Sequence, residues 1–198
     1  MIHNKPFVRL NPKLLEVAGI PKRYWLYQLS GVCCEKTRDE LQAQVDLTRQ
    51  FILDGSGLLI MGDFATGKTA FACILLRVAI QFGADVVFVR ACEIMSGWRN
   101  QSFNTAVPGV SLETRVKTAD LVLVDDLGAE IGQYQSGDRL VEYLFRSRHE
   151  NKQATIATTN LSANRLHKEY REAFFSVLKR SMTSELIVRN KRFQEVQG

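Results

Sequence analysis

Eight consecutive residues, Gly62-Asp63-Phe64-Ala65-Thr66-Gly67-Lys68-Thr69, carry the spacing G-x-x-x-x-G-K-[ST] in full. Glycines at that separation let backbone N–H groups turn inward around a chain of phosphates, and a helix starting there adds the positive end of its dipole. Lys68 is then placed to reach the β- and γ-phosphates, and the Thr69 hydroxyl to ligate Mg²⁺. With Ala70 at the start of the helix, residues 62–70 form the expected nucleotide-binding set. A match of this kind arises by chance in about one chain in a hundred. An apolar strand before it and a helix after it make chance less credible here. The pattern predicts binding of ATP with Mg²⁺ and, given suitable polar neighbours, hydrolysis to ADP and phosphate.

Three further groups could supply those neighbours. Leu121-Val122-Leu123-Val124 is an apolar run ending in Asp125 and Asp126. Asp125 is placed to hold Mg²⁺ through its water shell. Acids also close strands for structural reasons, but a position downstream of a phosphate cradle favours the ligand role. Asp126 stands where a carboxylate would polarise the attacking water. Aspartate is short for that task, so either it acts through a shifted water or Glu130 takes the role. Thr158-Thr159-Asn160 ends another apolar run, from which a polar residue would project beside the γ-phosphate. Arg180, late in a helix beyond Asn160, is a candidate donor to transition-state phosphate charge, a group often supplied from a neighbouring subunit. Arg171 is the competing arginine.

The elements that must position these residues are legible from periodicity. Apolar runs at 58–61, 86–89, 121–124, 155–158 and 186–188 read as strands buried on both faces. Leu41, Val45, Thr48 and Ile52 share one face of a helix over 36–53, which Gly55 and Gly57 break. Residues 70–82 are apolar almost all round, as in a helix packed inside a fold, with Gly83 at its stop. Residues 138–150 form an amphipathic helix with Leu140, Val141, Leu144 and Phe145 inward and arginines elsewhere. Ser162 can cap the helix after Asn160. Strands alternating with helices give an α/β fold with a parallel sheet covered on both faces. Residues 97–113 read as a long polar loop. The first 30 residues are irregular and basic, with Lys5, Arg9, Lys13, Lys22 and Arg23 among Pro6, Pro12 and Pro21. The expected division is a basic extension over 1–35 and an ATPase core over 36–198.

At 198 residues, 45% hydrophobic and 24% charged, the composition is that of one soluble globular domain. A formal charge of +5 is compatible with an anionic partner. Cys33, Cys34, Cys73 and Cys92 lack the spacing of a metal site and read as reduced thiols. With no signal-peptide pattern and no apolar run of membrane-spanning length, the expected location is the cytoplasm, with no membrane partner.

Taken together, these motifs resemble the AAA+ ATPases of the DnaC/DnaI helicase-loader and IstB transposition-helper group. The resemblance runs from about residue 18 to residue 192. Beyond Gly62 to Thr69 it rests on Asp125-Asp126-Leu127-Gly128-Ala129-Glu130, on Thr158-Thr159-Asn160-Leu161-Ser162 and on the helix bearing Arg180. It implies a P-loop NTPase of the AAA+ ASCE type, with a parallel five-stranded sheet in the order 5-1-4-3-2. It also implies homo-oligomers assembled with ATP, and action on DNA. By similarity Asn160 is sensor 1, Arg180 is the arginine finger, and residues 18–24 lie near the adenine. Two departures stand out. The 30 or so N-terminal residues are too few for a separate helicase-binding domain, and the sequence stops just after the fifth strand, so no C-terminal lid is expected. The function expected first is a replicative-helicase loader in DNA replication, of phage or mobile-element type, preferring single-stranded DNA. The alternative is an IstB-like helper that binds duplex DNA and stimulates a transposase. A metabolic P-loop kinase ranks third, since it would need a substrate lid and further arginines.

Overall fold

The computed structural model describes residues 7–31, 35–94, 109–131 and 137–188. Five parallel strands form its sheet: β1 (Gly57–Met61), β2 (Val86–Arg90), β3 (Leu121–Leu127), β4 (Ala154–Thr159) and β5 (Met182–Ile187). They lie in the order β2-β3-β4-β1-β5, which read from the other edge is 5-1-4-3-2. Every residue of β1 and β4 is buried. Such strands must be apolar on both faces, and that makes them visible as unbroken runs.

The fifth strand differs from its expectation. It begins at Met182, paired with Gly57, and ends at Ile187 rather than spanning 186–188. At one edge of the sheet it leaves Glu185 and Ile187 exposed, so no continuous apolar run marks it, unlike β2 at the other edge. Val188 lies just past it and donates its N–H to Met61 O at 2.8 Å, tying the strand's exit to the start of the glycine-rich loop.

Helices cover both faces. On one side lie α1 (Pro12–Val17), α2 (Glu35–Asp54) and α3 (Lys68–Gln81). The other side carries α4 (Leu112–Thr118), α5 (Gly137–Glu150), α6 (Ala163–Glu169) and α7 (Glu172–Ser181). Each group packs its own apolar cluster against the sheet. Helix α3 is buried nearly all round, and Gly83, at φ +77°, closes it in the left-handed conformation that glycine tolerates best.

The N-terminal segment is more ordered than its composition suggests. Asn11 caps α1 by accepting from the Leu14 amide at 3.1 Å, and 3-10 turns follow at Lys22–Tyr24 and Leu29–Gly31. Leu15, Ala18, Ile20 and Tyr24 join the core, and the Phe88 amide donates to Ala18 O at 2.8 Å. Prolines mark these turns rather than an absence of structure. The expected loop over 97–113 ends earlier, because Leu112 and Glu113 open α4 under a Ser111 cap. Residues 97–108 lie outside the described residues, as do Cys33, Cys34 and Lys5.

One arginine of α5 contradicts the expectation that its arginines stay outside the core. Arg148 is fully buried. It donates to Val116 O, Ala119 O, Ala154 O and Thr155 Oγ1, joining the end of α4 to the start of β4. Burial pushes its pKa down to about 9. Among the described residues, no helix is long and apolar enough to cross a membrane.

Candidate active site

The C-terminal ends of β1, β3 and β4 meet beside the N-terminus of α3. Strand β3 reaches this point with a bulge: pairing with β4 shifts between Val124 and Leu127, so Asp125 and Asp126 together face Thr158. Asp126 takes φ +55°, a left-handed conformation that aspartate accepts more readily than most residues. Bulges beside active sites serve to re-aim a side chain. Here Thr158 holds the bulge, its hydroxyl accepting from the Asp126 amide at 3.0 Å while donating to Asp125 Oδ1 at 2.6 Å.

Asp125 is buried and also accepts from Thr69 Oγ1 at 2.9 Å. Burial raises its pKa, and nearby Asp126 adds to the rise. Hydrogen bonds from Thr158 and Thr69 oppose it. Lys68 is buried as well, and its Nζ donates to Asp63 O and to Asn160 Oδ1, each at 2.7 Å. Burial lowers its pKa against the pull of Asp126, Asp125 and Asp63. The Asn160 amide nitrogen approaches Asp126 Oδ1 at 3.4 Å, so Asn160 spans Lys68 and Asp126.

The loop before α3 is shaped by its backbone and by the Thr66 hydroxyl, which donates to Asp63 O at 2.9 Å. Ala65 at φ +60° and Gly67 at φ +94° turn it into α3. At Gly62 an added Cβ would lie 2.2 Å from Val188 O, so that position admits no side chain. Above the loop opens a cleft of about 450 Å³. Lys68, Thr69, Asp126 and Asn160 line its floor, and Arg23, Tyr24 and Tyr27 form its far wall.

A family profile described as "IstB-like ATP binding protein" matches residues 34–194. The chain belongs to the IstB-like ATP-binding proteins. No curated protein matches it in sequence. Among solved structures, "Crystal structure of the DnaC helicase loader" is similar at 21% identity and a TM-score of 0.68, over 85% of this chain and 99% of that one. "Crystal Structure of the DnaI" is similar at 17% identity and 0.67, over 88% and 94%. "Replication initiator DnaA bound to AMPPCP and single-stranded DNA" follows at 14% and 0.64, over 83% and 51%. At these identities the likeness is one of fold. The profile and the fold together place the chain in the DnaC/IstB-like AAA+ group.

The far wall of this IstB-like cleft was only partly legible. Arg23 and Tyr24 fall in the segment expected near the adenine, whereas Tyr27 lies beyond it. Tyr24 and Tyr27 have ring centroids 5.8 Å apart, and the Arg23 guanidinium sits 4.5 Å from the Tyr24 centroid. The signal available was the aromatic run Tyr24-Trp25-Leu26-Tyr27 inside a basic stretch. Thr158 is the other residue whose part went unassigned, since only its contacts to both acids reveal it.

The structure does not bring every candidate to the cleft. Glu130 is fully buried and accepts from the Gly128 amide at 2.9 Å and from the Tyr170 hydroxyl. Arg180 is exposed on α7 and makes no hydrogen bond or ion pair with another described residue. Its competitor Arg171 is committed to Glu142 at 2.8 Å. Cys73 is buried within α3, where burial raises its thiol pKa well above the usual value. Cys92 is half-buried, and both are free thiols.

Proposed function

We propose that this chain hydrolyses ATP, assembles with ATP into a homo-oligomer on DNA, and loads a replicative helicase from the cytoplasm. The observation that carries the reading is that Lys68, Thr69, Asp126 and Asn160 line one cleft, with buried Asp125 hydrogen-bonded to Thr69. In this reading the backbone of Gly62 to Ala70 and Lys68 hold the phosphates. Tyr24 and Tyr27 offer ring faces to the base, beside Arg23.

The donor set fits Mg²⁺. Burial disfavours the charge on Asp125, and a divalent cation would restore what desolvation removes. Thr69 and Asp125 would hold the ion, which supplies charge neutralisation on the phosphates. Asp126, aimed by the bulge, orients the water that attacks the γ-phosphorus as its bond to the bridging oxygen breaks. Asn160, now bonded to Lys68, would exchange that contact for one near the γ-phosphate. Asp126 suits the water-positioning role better than Glu130, whose oxygens are taken up by Gly128 and Tyr170. An exposed Arg180 whose side chain has no partner among the described residues suits donation to the site of a neighbouring subunit.

The helicase-loading assignment draws support from near full-length similarity to the DnaC helicase loader and DnaI folds. The similar DnaA structure holds an ATP analogue and single-stranded DNA. The family profile favours a second reading, a transposition helper that binds duplex DNA and stimulates a transposase. Fluorescence anisotropy with single- and double-stranded oligonucleotides, with and without a non-hydrolysable ATP analogue, separates the two. The loader reading expects nucleotide-dependent binding that favours single strands and weakens with salt, with a logarithmic slope of about −0.7 per phosphate contacted. Duplex preference would transfer the assignment to the transposition helper. Absence of DNA binding in any nucleotide state would remove both.

A further inference from the structure

Glu130 closes the turn that follows β3 and has no place in the chemistry above. A fully buried carboxyl is costly unless it is hydrogen-bonded. Among the described contacts, the Gly128 amide donates to Oε2 and the Tyr170 hydroxyl donates to Oε1. Each partner belongs to a different part of the machinery.

Gly128 belongs to the acid-bearing strand end. At φ +105° it lies so close to Leu161 that an added Cβ would stand 2.6 Å from that side chain. Leu161 follows Asn160 directly, so this turn packs against the loop that carries the cleft's polar residue. Tyr170 belongs to the helices beyond. It caps the C-terminus of α6, Arg171 is the N-cap of α7, and the Tyr170 ring meets Phe174 of α7 edge-on at 4.6 Å. Phe174, Val177 and Leu178 seat α7 through apolar contacts. Such contacts are non-directional, and at this end of α7 they are supplemented by the solvent-facing ion pair of Arg171 with Glu142 at 2.8 Å. The hydrogen bond between Tyr170 and Glu130 is directional.

We infer that Glu130 and Tyr170 are positioning residues: their buried hydrogen bond fixes helix α7, and with it Arg180, relative to Asp126. The inference rests on the trans role of Arg180 proposed above. A misplacement of about 1 Å can cost about a hundredfold in rate, so a directional tie at the base of α7 bears directly on turnover.

Tyr170→Phe removes one hydroxyl and keeps the ring contacts with Phe174. The variant is expected to bind a fluorescent non-hydrolysable ATP analogue like the wild type and to turn over about tenfold more slowly. Mixing it with Lys68→Ala subunits should recover activity, because those subunits offer a correctly placed Arg180 to the intact nucleotide site of the Tyr170→Phe subunit. A purely structural defect would not be repaired by a neighbour. Glu130→Gln keeps a polar partner for the tyrosine hydroxyl and should turn over close to wild type. Arg180→Ala mixed with Lys68→Ala is the control for the trans arginine itself. Wild-type turnover by Tyr170→Phe, a loss of analogue affinity, or no recovery where the control recovers would each overturn the inference. Loss of turnover in Glu130→Gln would overturn it in favour of a base role for Glu130. If the control also fails to recover, the trans reading of Arg180 falls and the positioning role falls with it.

Discussion

At the residue scale, Asp125 and Asp126 are neighbours in sequence with opposite environments. Asp125 is buried beneath two hydroxyls, and its raised pKa means that the fold favours the protonated form. Its contribution to stability is present at low pH and is lost as pH rises through that raised value, so the carboxylate strains the nucleotide-free protein at neutral pH. Asp125→Asn should therefore melt above the wild type without ligand, while still accepting from Thr69 and Thr158. With Mg-ATP at a hundred times Kd, wild type should gain about 2.7 kcal/mol, or about 5–10 °C in melting temperature. The variant should lose most of that gain. Differential scanning fluorimetry with and without Mg-ATP measures both, and a lower nucleotide-free melting temperature would contradict the assignment. Asp126 differs because φ +55° suits aspartate and asparagine but penalises longer side chains. That conformation gives a local reason for aspartate at this position. Asp126→Asn keeps the backbone and removes the charge, so it should bind ATP normally and cleave it at least about a hundredfold more slowly in single turnover.

Among the elements, legibility followed burial. Strands β1 to β4 stood out because a parallel sheet covered on both faces leaves unbroken apolar runs. The phosphate loop, both acids and Asn160 stood out because their spacing is set by the ligand they would serve. Strand β5 was read short because it exposes Glu185 and Ile187, whereas β2, the other edge, stays buried along its apolar run. The bulge at Asp125 and Asp126 was invisible because it depends on Thr158, which lies 32 residues from Asp126 in the chain. Arg148 was read as a surface residue because arginines usually are, and only the four acceptors around it explain its burial. Its planar fork reaches Val116 O, Ala119 O, Ala154 O and Thr155 Oγ1 at once. Arg148→Met would fill similar space but leave three buried carbonyls without that donor, at a cost of about 3–5 kcal/mol. Arg148→Lys should recover little, since an ammonium cannot reproduce the fork. Urea unfolding at neutral pH reads both variants. A loss under about 1 kcal/mol for the methionine variant would mean that water or relaxation satisfies those carbonyls.

For the whole molecule, the decisive feature is a cleft that gathers the groups proposed to bind phosphate and position water while Arg180 stays outside it. Among the described residues of the cleft, Arg23 is the arginine, and it sits on the wall with the tyrosines rather than beside Asp126 and Asn160. Transition-state charge on the γ-phosphoryl group then has Lys68 but lacks the planar cation that such sites use. A second copy of the chain can supply it, since Arg180 is exposed on α7 and its side chain has no partner among the described residues. Turnover per subunit should therefore depend on protein concentration, low where subunits are separate and rising to a plateau as they associate. An arginine delivered in trans is worth about 10³-fold or more in comparable phosphoryl-transfer systems. Even a partly ordered interface should thus give a rise of at least about tenfold. Arg180→Ala should bind nucleotide as wild type does and stay at the low rate across the whole series. Arg180→Lys should remain near the alanine variant, because a point charge does not replace a fork that spans two phosphate oxygens. Steady-state phosphate release over a hundredfold range of protein concentration, with light scattering on the same samples, makes the measurement. A specific activity that is flat for wild type, or an Arg180→Ala variant that climbs with it, would show that the cleft hydrolyses ATP without its neighbour.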